Sequence, residues 1–290
     1  MSRIAYVNGA YVPQRNASVN VEDRGYQFAD GIYEVVHLYG GRFTDWDLHF
    51  ARLARSLASV RIAMPMARAP LERVLHEVAR RNRVSDGLLY MQVTRGVAPR
   101  DHAFPTATTP PSLVVTVRRT LPFPRDVNRW TIKVISHPDE RWARCDIKSV
   151  GLLPNVLARQ AAREQGAGEA ILIDAQGMVT EGAATSFWIV DADGVLRCPP
   201  NGSTILPGCT RGALETEMRA EGIAFETRPF SLAEARAARE AFITSATSFV
   251  KPVLALDGTA VGDGAVGPVT RRLFEVFARH VVGGMGNRPA

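Results

Sequence analysis

Apolar and polar residues alternate along residues 3–12 around Asn8-Gly9, a dipeptide typical of a tight hairpin, and this alternation predicts two short strands. Leucines and valines spaced three and four residues apart follow Asp45 and again Pro70, which predicts an amphipathic helix from each position. Two apolar runs, at residues 88–95 and 112–118, predict further strands. We therefore expect the first part of the chain to combine a small sheet with two helices.

The stretch from Thr120 to Asn128 contains two prolines and little periodicity, which predicts a domain boundary. The elements predicted after it are strands at 130–136, 170–174, 186–190, 195–198 and 241–245, and helices at 154–165, from Gly208, from Leu232 and at 269–281. Because these strands and helices mix without strict βαβ alternation, the predicted fold class is α+β. We place an N-terminal domain at residues 1–120 and a larger C-terminal domain at residues 121–290.

The composition is that of an ordinary globular protein, since 46% of the 290 residues are hydrophobic and 22% are charged. The net charge is +6, but the basic clusters are short and interrupted by acids, which favours a solvated surface over a nucleic-acid-binding stripe. No apolar run reaches about 18 residues and no apolar leader follows the N-terminus, so we expect neither a membrane span nor secretion. Three cysteines without C-x-x-C spacing predict reduced thiols in a cytoplasmic protein.

Two motifs match enzyme signatures but lack the required context. Gly262-Asp-Gly-Ala-Val-Gly267 has the spacing of a dinucleotide site, but only a helix and a tail follow it, so we interpret it as a glycine-rich turn. Ser248-Phe-Val-Lys251 has S-x-x-K spacing without the S-D-N or K-T-G of penicillin-recognising enzymes. The six histidines show no metal-ligand spacing, so we predict no metal site.

Lysine is rare in this chain. Of the 35 lysines and arginines only Lys133, Lys148 and Lys251 are lysine, and only lysine can act as an amine nucleophile. Lys133 alternates with apolar strand residues and is expected to face solvent, and Lys251 has no acidic or aromatic neighbour in sequence. Lys148 lies in a mostly apolar segment, where partial desolvation favours the neutral amine that forms a Schiff base. A lysine that simply reaches solvent is the alternative interpretation.

Three further segments supply groups that complement an amine. Glu181, in Val-Thr-Glu-Gly, lies between two predicted apolar strands, where burial without a cation would be costly. The turn at 205–211 begins a helix whose free N–H groups favour a phosphate, and Arg52 suits a two-point phosphate contact. Amine, buried carboxylate, phosphate cradle and arginine are the groups that a pyridoxal phosphate site requires.

These motifs resemble, in order and spacing, those of the class IV pyridoxal-phosphate aminotransferases, also called fold type IV. They are Lys148 in Cys-Asp-Ile-Lys-Ser, Glu181 in Thr-Glu-Gly, and Leu206-Pro-Gly-Cys-Thr-Arg211. The similarity covers nearly the whole chain, and the sequence looks most like the D-amino-acid aminotransferases. The resemblance implies a small N-terminal α+β domain and a larger C-terminal α/β pseudo-barrel domain that carries the lysine.

The resemblance implies that Lys148 forms the Schiff base with pyridoxal 5′-phosphate and moves the proton between Cα and the cofactor, while Glu181 pairs with the pyridine nitrogen. The other implied cofactor contacts are Arg52 and the backbone amides of Cys209 and Thr210 on the phosphate, Leu206 on the ring face, and Ser245, Ala246 and Thr247 in a second phosphate-side loop. In that loop Ala246 replaces the threonine of the D-enzymes. The run Ala183–Ser186 likewise replaces a more serine-rich run beside the ring.

The resemblance also assigns the substrate carboxylate to Tyr33, Arg100 and His102. An arginine, an imidazole and a phenol that converge on one point make a carboxylate site, although a solvated loop is the alternative for Arg100 and His102. In the family this loop reaches the active site of the neighbouring subunit, which implies a functional homodimer. The expected activity is transamination of a D-amino acid such as D-alanine with 2-oxoglutarate or pyruvate, without nucleic-acid or membrane partners.

Other activities on the same scaffold stay open, namely branched-chain L-amino-acid transamination, (R)-amine transamination and aminodeoxychorismate lyase activity. Arg100 and His102 argue against each of them. Leu153 also stands where the branched-chain enzymes carry a tyrosine, five residues after the lysine. A vitamin B6 carrier without catalytic activity is the non-enzymatic alternative.

Overall fold

The structure is a computed structural model that describes residues 3–120 and 123–283. Contacts divide the chain into two units, one of Met1–Pro122 with Ile147–Gly151 and one of Phe123–Asp146 with Leu152–Ala290. The boundary predicted between residues 120 and 121 adjoins residue 121, which lies outside the described residues. The sequence assigns Lys148 to the C-terminal domain, whereas the structure groups its segment with the first unit. The reason is a short antiparallel bridge, in which Tyr33 N donates to Lys148 O at 3.0 Å.

Among its described residues the first unit contains a six-stranded antiparallel sheet, two long helices and one short helix. In chain order the elements are β1 (Ile4–Val7), β2 (Ala10–Pro13), a 3-10 turn (Gln14–Asn16), α1 (Arg24–Phe28), β3 (Gly31–Tyr39), β4 (Arg42–Phe43), α2 (Trp46–Ser59), α3 (Arg68–Arg81), β5 (Gly87–Thr94) and β6 (Ser112–Arg119). The strand order is β2-β1-β6-β5-β3-β4.

The core of the first unit lies between this sheet and helices α2 and α3. Leu53 and Leu57 of α2 and Leu71 and Leu75 of α3 are at most 1% exposed and belong to one cluster with the inner side chains of β3, β5 and β6. Their spacing is the one that predicts the two helices, so both helices are confirmed. The predicted hairpin is also confirmed, because Asn8 and Gly9 adopt φ of 45° and 99°, the left-handed values that a tight hairpin turn requires.

The second unit contains, within residues 123–146 and 152–283, a nine-stranded mixed sheet covered by helices. Its elements are a 3-10 turn (Val127–Arg129), β7 (Ile132–Pro138), α4 (Leu153–Glu164), β8 (Glu169–Ile173), β9 (Val179–Gly182), β10 (Ser186–Val190), β11 (Leu196–Cys198), α5 (Cys209–Ala220), β12 (Glu226–Thr227), α6 (Leu232–Arg236), β13 (Glu240–Ser245), β14 (Phe249–Leu256), β15 (Thr259–Ala260) and α7 (Pro268–Gly283). The strand order is β12-β11-β10-β13-β14-β7-β8-β9, and β15 pairs with β14.

Helices pack on the central strands of this sheet, and most residues of β13 and β14 are buried. Helix α5 contacts β13, α7 contacts β13 and β14, and α4 contacts β7 and β8. All five residues of β10 are buried, and Trp188 within it stacks on Phe242 of β13 at 5.5 Å between ring centroids. This buried sheet gives rigid ends from which the adjoining loops project.

Two strands that carry predicted site residues depart from the sequence-based prediction. β3 is not predicted because Glu34 and His37 interrupt its apolar run, although the structure buries both side chains. The segment around Glu181 is predicted as a link between strands but is itself β9, which pairs with β8. In both cases a buried polar residue hides a strand from a pattern of hydrophobic positions.

The glycine-rich segment after β15 confirms the prediction of a turn. Gly262 has a φ of 58°, and a side chain there would meet the backbone oxygen of Arg239 at 2.1 Å. The Glu240 carboxylate accepts hydrogen bonds from the amides of Val269 and Thr270 at 3.1 and 2.7 Å, so it already satisfies the start of α7. Among the described residues no helix has both the length and the apolar composition needed to cross a bilayer.

Candidate active site

The first unit brings Lys148 together with Tyr33. The Lys148 amine lies 4.2 Å from the centroid of the Tyr33 ring, and both side chains are partly buried. The backbone is fixed on two sides, because Val150 N donates to Gly31 O at 3.0 Å and Lys148 N donates to Ser56 Oγ at 3.4 Å. The predicted amine and the predicted phenol thus share one corner of the first unit.

Tyr33 is itself supported by a neighbouring phenol. Its ring stacks on Tyr90 of β5 at 5.7 Å between centroids, and Tyr90 Oη donates to Gln92 Oε1 at 2.7 Å. Burial, followed by the proximity of Tyr33, raises the pKa of Tyr90 to about 12. Tyr90 therefore stays neutral at ordinary pH and acts as an aromatic support behind Tyr33.

Arg52 is buried on α2 and forms a two-point ion pair with Glu34 of β3. Its Nε and Nη2 each lie 2.8 Å from a carboxylate oxygen of Glu34, and His49 Nδ1 lies 2.7 Å from Glu34 Oε2. Burial alone would raise the pKa of Glu34, but the charge and hydrogen bonds of Arg52 and the hydrogen bond of His49 lower it to about 2. The sequence-based prediction includes Arg52 but not its partners Glu34 and His49, which lie 18 and 3 positions away from it.

Arg100 and His102 lie on the exposed loop that follows β5 in the same unit. Both contact Phe28, with the Arg100 guanidinium 4.9 Å and the His102 ring 5.4 Å from its ring centroid. The predicted substrate residues therefore form two clusters within the first unit, Tyr33 beside Lys148 and Arg100 beside His102.

Glu181 lies on β9 in the second unit and is 5% exposed. Its Oε1 accepts hydrogen bonds from Arg141 Nη1 and from the Leu206 amide, the latter at 3.1 Å. Arg141 also binds both oxygens of Asp139 at 2.8 Å. Burial would lower the pKa of Arg141, but Asp139 and Glu181 raise it, so Arg141 is the cation that offsets the burial of Glu181.

The start of α5 is the segment for which the sequence predicts a phosphate contact. Gly208 occupies the N-cap position and carries no side chain that could cap the helix, and Cys209 and Thr210 follow it in the buried first turn. A Cβ at Gly208 would lie 2.9 Å from Ser186 Oγ, so the turn lies directly against the start of β10. Helix N-termini of this kind present amides and a positive partial charge to an anion.

The loop between β13 and β14 adjoins the same region. Ser186 pairs with Thr244 in the sheet, so the next residue along β13, Ser245, leads into the loop beside the start of β10. Within the loop Ser245 Oγ lies 3.1 Å from Thr247 Oγ1 and accepts hydrogen bonds from the backbone amides of Thr247 and Ser248. The hydroxyls of Ser245 and Thr247 are thus adjacent on either side of Ala246.

The other two lysines have different surroundings. Lys133 is exposed on β7, as predicted. Lys251 is partly buried on β14, and its amine lies 4.2 Å from the ring centroid of Trp130, an aromatic partner that sequence distance conceals. Burial, followed by the charge of Arg159, lowers the pKa of Lys251. Lys251 is therefore the lysine that experiments must distinguish from Lys148.

Comparisons with known proteins show the family of the chain. A family model described as amino-transferase class IV matches residues 31–256. The D-alanine aminotransferase of Staphylococcus haemolyticus is 38% identical over 276 residues, which cover 95% of this chain and 97% of that protein. The D-alanine aminotransferase of Bacillus licheniformis is 39% identical over 266 residues, which cover 92% and 93%.

Solved structures show the same fold. A branched-chain amino acid aminotransferase of T.th., solved with pyridoxamine 5′-phosphate, has a TM-score of 0.87 and 26% identity, and the match covers 98% of this chain and 95% of that chain. The predicted α+β fold of type IV is therefore confirmed.

Proposed function

The chain belongs to the class IV aminotransferases, and we propose that it transaminates D-amino acids such as D-alanine with 2-oxo acids, using pyridoxal 5′-phosphate. The observation that carries the proposal is that relatives named D-alanine aminotransferase align with nearly the whole chain. A similar structure solved with pyridoxamine 5′-phosphate supports the cofactor.

The residues present fit this cofactor group by group. Lys148 offers a partly buried amine against an aromatic ring, and Glu181 offers a buried carboxylate whose charge Arg141 balances. The start of α5 offers a turn without a capping side chain, and the adjacent hydroxyls of Ser245 and Thr247 extend it. Amine, carboxylate and anion cradle are the donor types that pyridoxal phosphate needs.

Bound pyridoxal phosphate supplies an electron sink that makes the Cα–H bond of an amino acid acidic. We assign Lys148 Nζ to covalent attachment of the cofactor and to removal of the proton from Cα. Glu181, oriented by Arg141 and the Leu206 amide, holds the proton on the pyridine nitrogen. We assign the phosphate to Arg52, to the amides of Cys209 and Thr210, and to the loop that contains Ser245, Ala246 and Thr247. Leu206 is assigned to the face of the cofactor ring.

Substrate binding is assigned to hydrogen-bond donors of the first unit. We assign the α-carboxylate to Arg100, His102 and Tyr33, because guanidinium, imidazole and phenol donors together complement one carboxylate. The amino acid leaves as its 2-oxo acid, and a second 2-oxo acid, 2-oxoglutarate or pyruvate, receives the amino group in a ping-pong cycle.

We further propose a cytoplasmic homodimer in which the Arg100 loop serves the neighbouring subunit. Three aliphatic side chains on one face of α4 support self-association, because they are large and mostly exposed. They are Leu153 at 69%, Val156 at 57% and Leu157 at 53% exposure. The cytoplasmic location agrees with the three cysteines, which are free in the structure.

Borohydride reduction of the holoenzyme followed by peptide mapping tests the lysine assignment. We expect the label on Lys148, and Lys148→Ala should lose both the label and the absorbance of the bound cofactor. Lys251→Met is the matched control, since it removes another partly buried lysine, and should keep both. A label on Lys251 or Lys133 would overturn the assignment.

Addition of D-alanine to the holoenzyme tests the reaction. We expect the cofactor band to bleach, pyruvate to form, and 2-oxoglutarate to restore the band. A band that stays unchanged would indicate a vitamin B6 carrier. Branched-chain transamination is the second candidate, because similar solved structures are branched-chain aminotransferases. A bleach with L-leucine but not with D-alanine would select that activity instead.

A further inference from the structure

Two buried arginines of the first unit, Arg24 and Arg95, share a single carboxylate. Arg24 Nε lies 2.9 Å from Asp30 Oδ2, while Arg95 binds both oxygens of Asp30 at 2.7 and 2.9 Å. Arg24 is 3% and Arg95 8% exposed. Burial alone would raise the pKa of Asp30, but hydrogen bonds from Arg95 and Arg24 lower it. The two guanidinium groups carry more N–H donors than the Asp30 carboxylate can accept, so their remaining donors need other acceptors in this buried place.

Arg24 meets this requirement with the backbone of the loop that follows β5. Its Nη1 donates to the carbonyl oxygens of Asp101 and Ala103, the latter at 3.2 Å, and its Nη2 donates to His102 O at 3.4 Å. Three consecutive carbonyl groups therefore converge on one guanidinium. The segment that they hold includes His102 and directly follows Arg100.

The same loop is fixed at its other end by Arg95. The Arg95 guanidinium lies 3.6 Å from the ring centroid of Phe104, and Arg61 lies 4.7 Å from the same ring. Arg95 also donates to the carbonyl oxygens of Arg61 at 2.9 Å and Val60 at 2.7 Å. The Asp30 carboxylate thus orients the guanidinium groups of Arg24 and Arg95, and these two groups contact the loop at residues 101–104.

Phe28, at the end of α1, connects Arg24 with the two side chains on the loop. The Arg24 guanidinium lies 4.8 Å from its ring centroid, compared with 4.9 Å for Arg100 and 5.4 Å for His102. Residues 99–104 contain no helix or strand of their own, so these contacts and the carbonyl bonds define the place of the loop.

We propose that Arg24, anchored by Asp30, is a positioning residue that holds Arg100 and His102 where they receive the substrate carboxylate, an inference that rests on the proposed function. A free loop would have to be ordered each time that substrate binds, and this ordering would weaken binding. Arg24 acts on the loop within its own chain, so the inference is the same whether the loop serves its own active site or that of a second copy.

Arg24→Met tests this role with little risk to the fold, because it leaves Asp30 paired with Arg95 on both oxygens. We expect KM for D-alanine to rise about tenfold or more and kcat to stay within about threefold, since the change affects carboxylate binding and not proton transfer. Amides of residues 100–104 should exchange hydrogen faster, while those of β5 should not. Tyr26→Ala, on the exposed side of the same short helix, is the matched control and should change neither quantity.

The double variant with Arg100→Ala separates positioning from a general structural role. If Arg24 acts through Arg100 and His102, Arg24→Met should raise KM much less in the Arg100→Ala background than in the wild type. An equal increase in both backgrounds, or an unchanged KM in a folded Arg24→Met protein, would overturn the inference. Arg24→Lys is the second variant, and it should also raise KM because a single ammonium cannot replace the fork that reaches three carbonyls.

Binding of propionate to the holoenzyme, measured by calorimetry, tests the role of Arg24 separately from the proposed transamination, because propionate carries the carboxylate but no amino group. A wild type that does not transaminate D-alanine would overturn the proposed function alone. Weaker propionate binding by Arg24→Met than by Tyr26→Ala would still support the role of Arg24, and equal binding would refute it.

Discussion

Replacing Glu34 with glutamine measures how much its buried pair with Arg52 stabilises the first unit. Glu34 is fully buried, and its pKa falls from 4.5 to about 2 in spite of that burial because Arg52 and His49 oppose it. At about 1.4 kcal/mol per pH unit this difference corresponds to about 3 kcal/mol. Glutamine keeps the shape but removes the charge, and it leaves Arg52 without its anion. We therefore expect Glu34→Gln to lower the free energy of unfolding by about 3 kcal/mol or more near neutral pH.

The sign of the pH dependence is fixed by the direction of the pKa change. A carboxyl group whose pKa is lower in the folded than in the unfolded protein stabilises the folded state at pH values above the unfolded-state pKa, which is 4.5 for Glu34. This stabilisation disappears as the pH falls towards about 2. The difference between wild type and Glu34→Gln should therefore be constant from neutral pH down to about 5 and shrink below that.

Urea titrations of the cofactor-free proteins provide the assay, because cofactor affinity then does not enter the comparison. Glu77→Gln is the control, since hydrogen bonds from Arg80 and Arg81 also lower the pKa of Glu77 to about 2, but on the solvent side of α3. Water and salt screen that pair, so its loss should have a small effect that added salt removes. A loss for Glu34→Gln that is the same near neutral pH and in acid, or no larger than that for Glu77→Gln, would refute the reasoning.

Two further substitutions test other parts of the structure. Arg141→Lys should weaken cofactor binding about tenfold in a fluorescence titration, because losing one charge-assisted hydrogen bond to Glu181 costs about 1.5 kcal/mol. Unchanged affinity would mean that Arg141 does not orient Glu181. Gly267→Ala should lower Tm but leave KM for D-alanine unchanged, because the added Cβ would lie 2.1 Å from the Glu240 side chain that caps α7. A raised KM with an unchanged Tm would instead give the glycine-rich segment a role in binding.

Local patterns in the sequence were sufficient for most helices and for the first hairpin. Helices α2, α3, α5 and α7 each bury one apolar face, and a face of this kind recurs every three or four residues in the sequence. The sequence predicts the Lys148 segment as part of the site from its apolar context and assigns it to the C-terminal domain, whereas contacts group it with the first unit. The sequence does not predict this grouping because the bridge between Ile32 and Ser149 joins residues far apart in the chain and leaves no local signal.

The charge partners of the site could not be predicted, for the same reason. Glu34 lies 18 positions from Arg52, and Arg141 lies 40 positions from Glu181. The sequence does predict that such partners exist, because a buried carboxylate requires a nearby cation. It does not predict which of the chain's many arginines pairs with a given carboxylate, because this pairing depends on tertiary contacts that the spacing of residues in the sequence does not reveal.

The preference for arginine over lysine is therefore partly explained by buried positions. Arg24 binds one carboxylate and three carbonyl groups, and Arg141 binds two carboxylates and the Thr204 carbonyl at 3.0 Å. A guanidinium has five N–H donors in a rigid plane, whereas an ammonium has three on one atom and becomes neutral more readily when buried. Lysine at these places would leave carbonyl groups without donors. Conversely, a group that must lose its proton and attack a carbonyl cannot be arginine, which is the physical reason to expect a lysine at position 148.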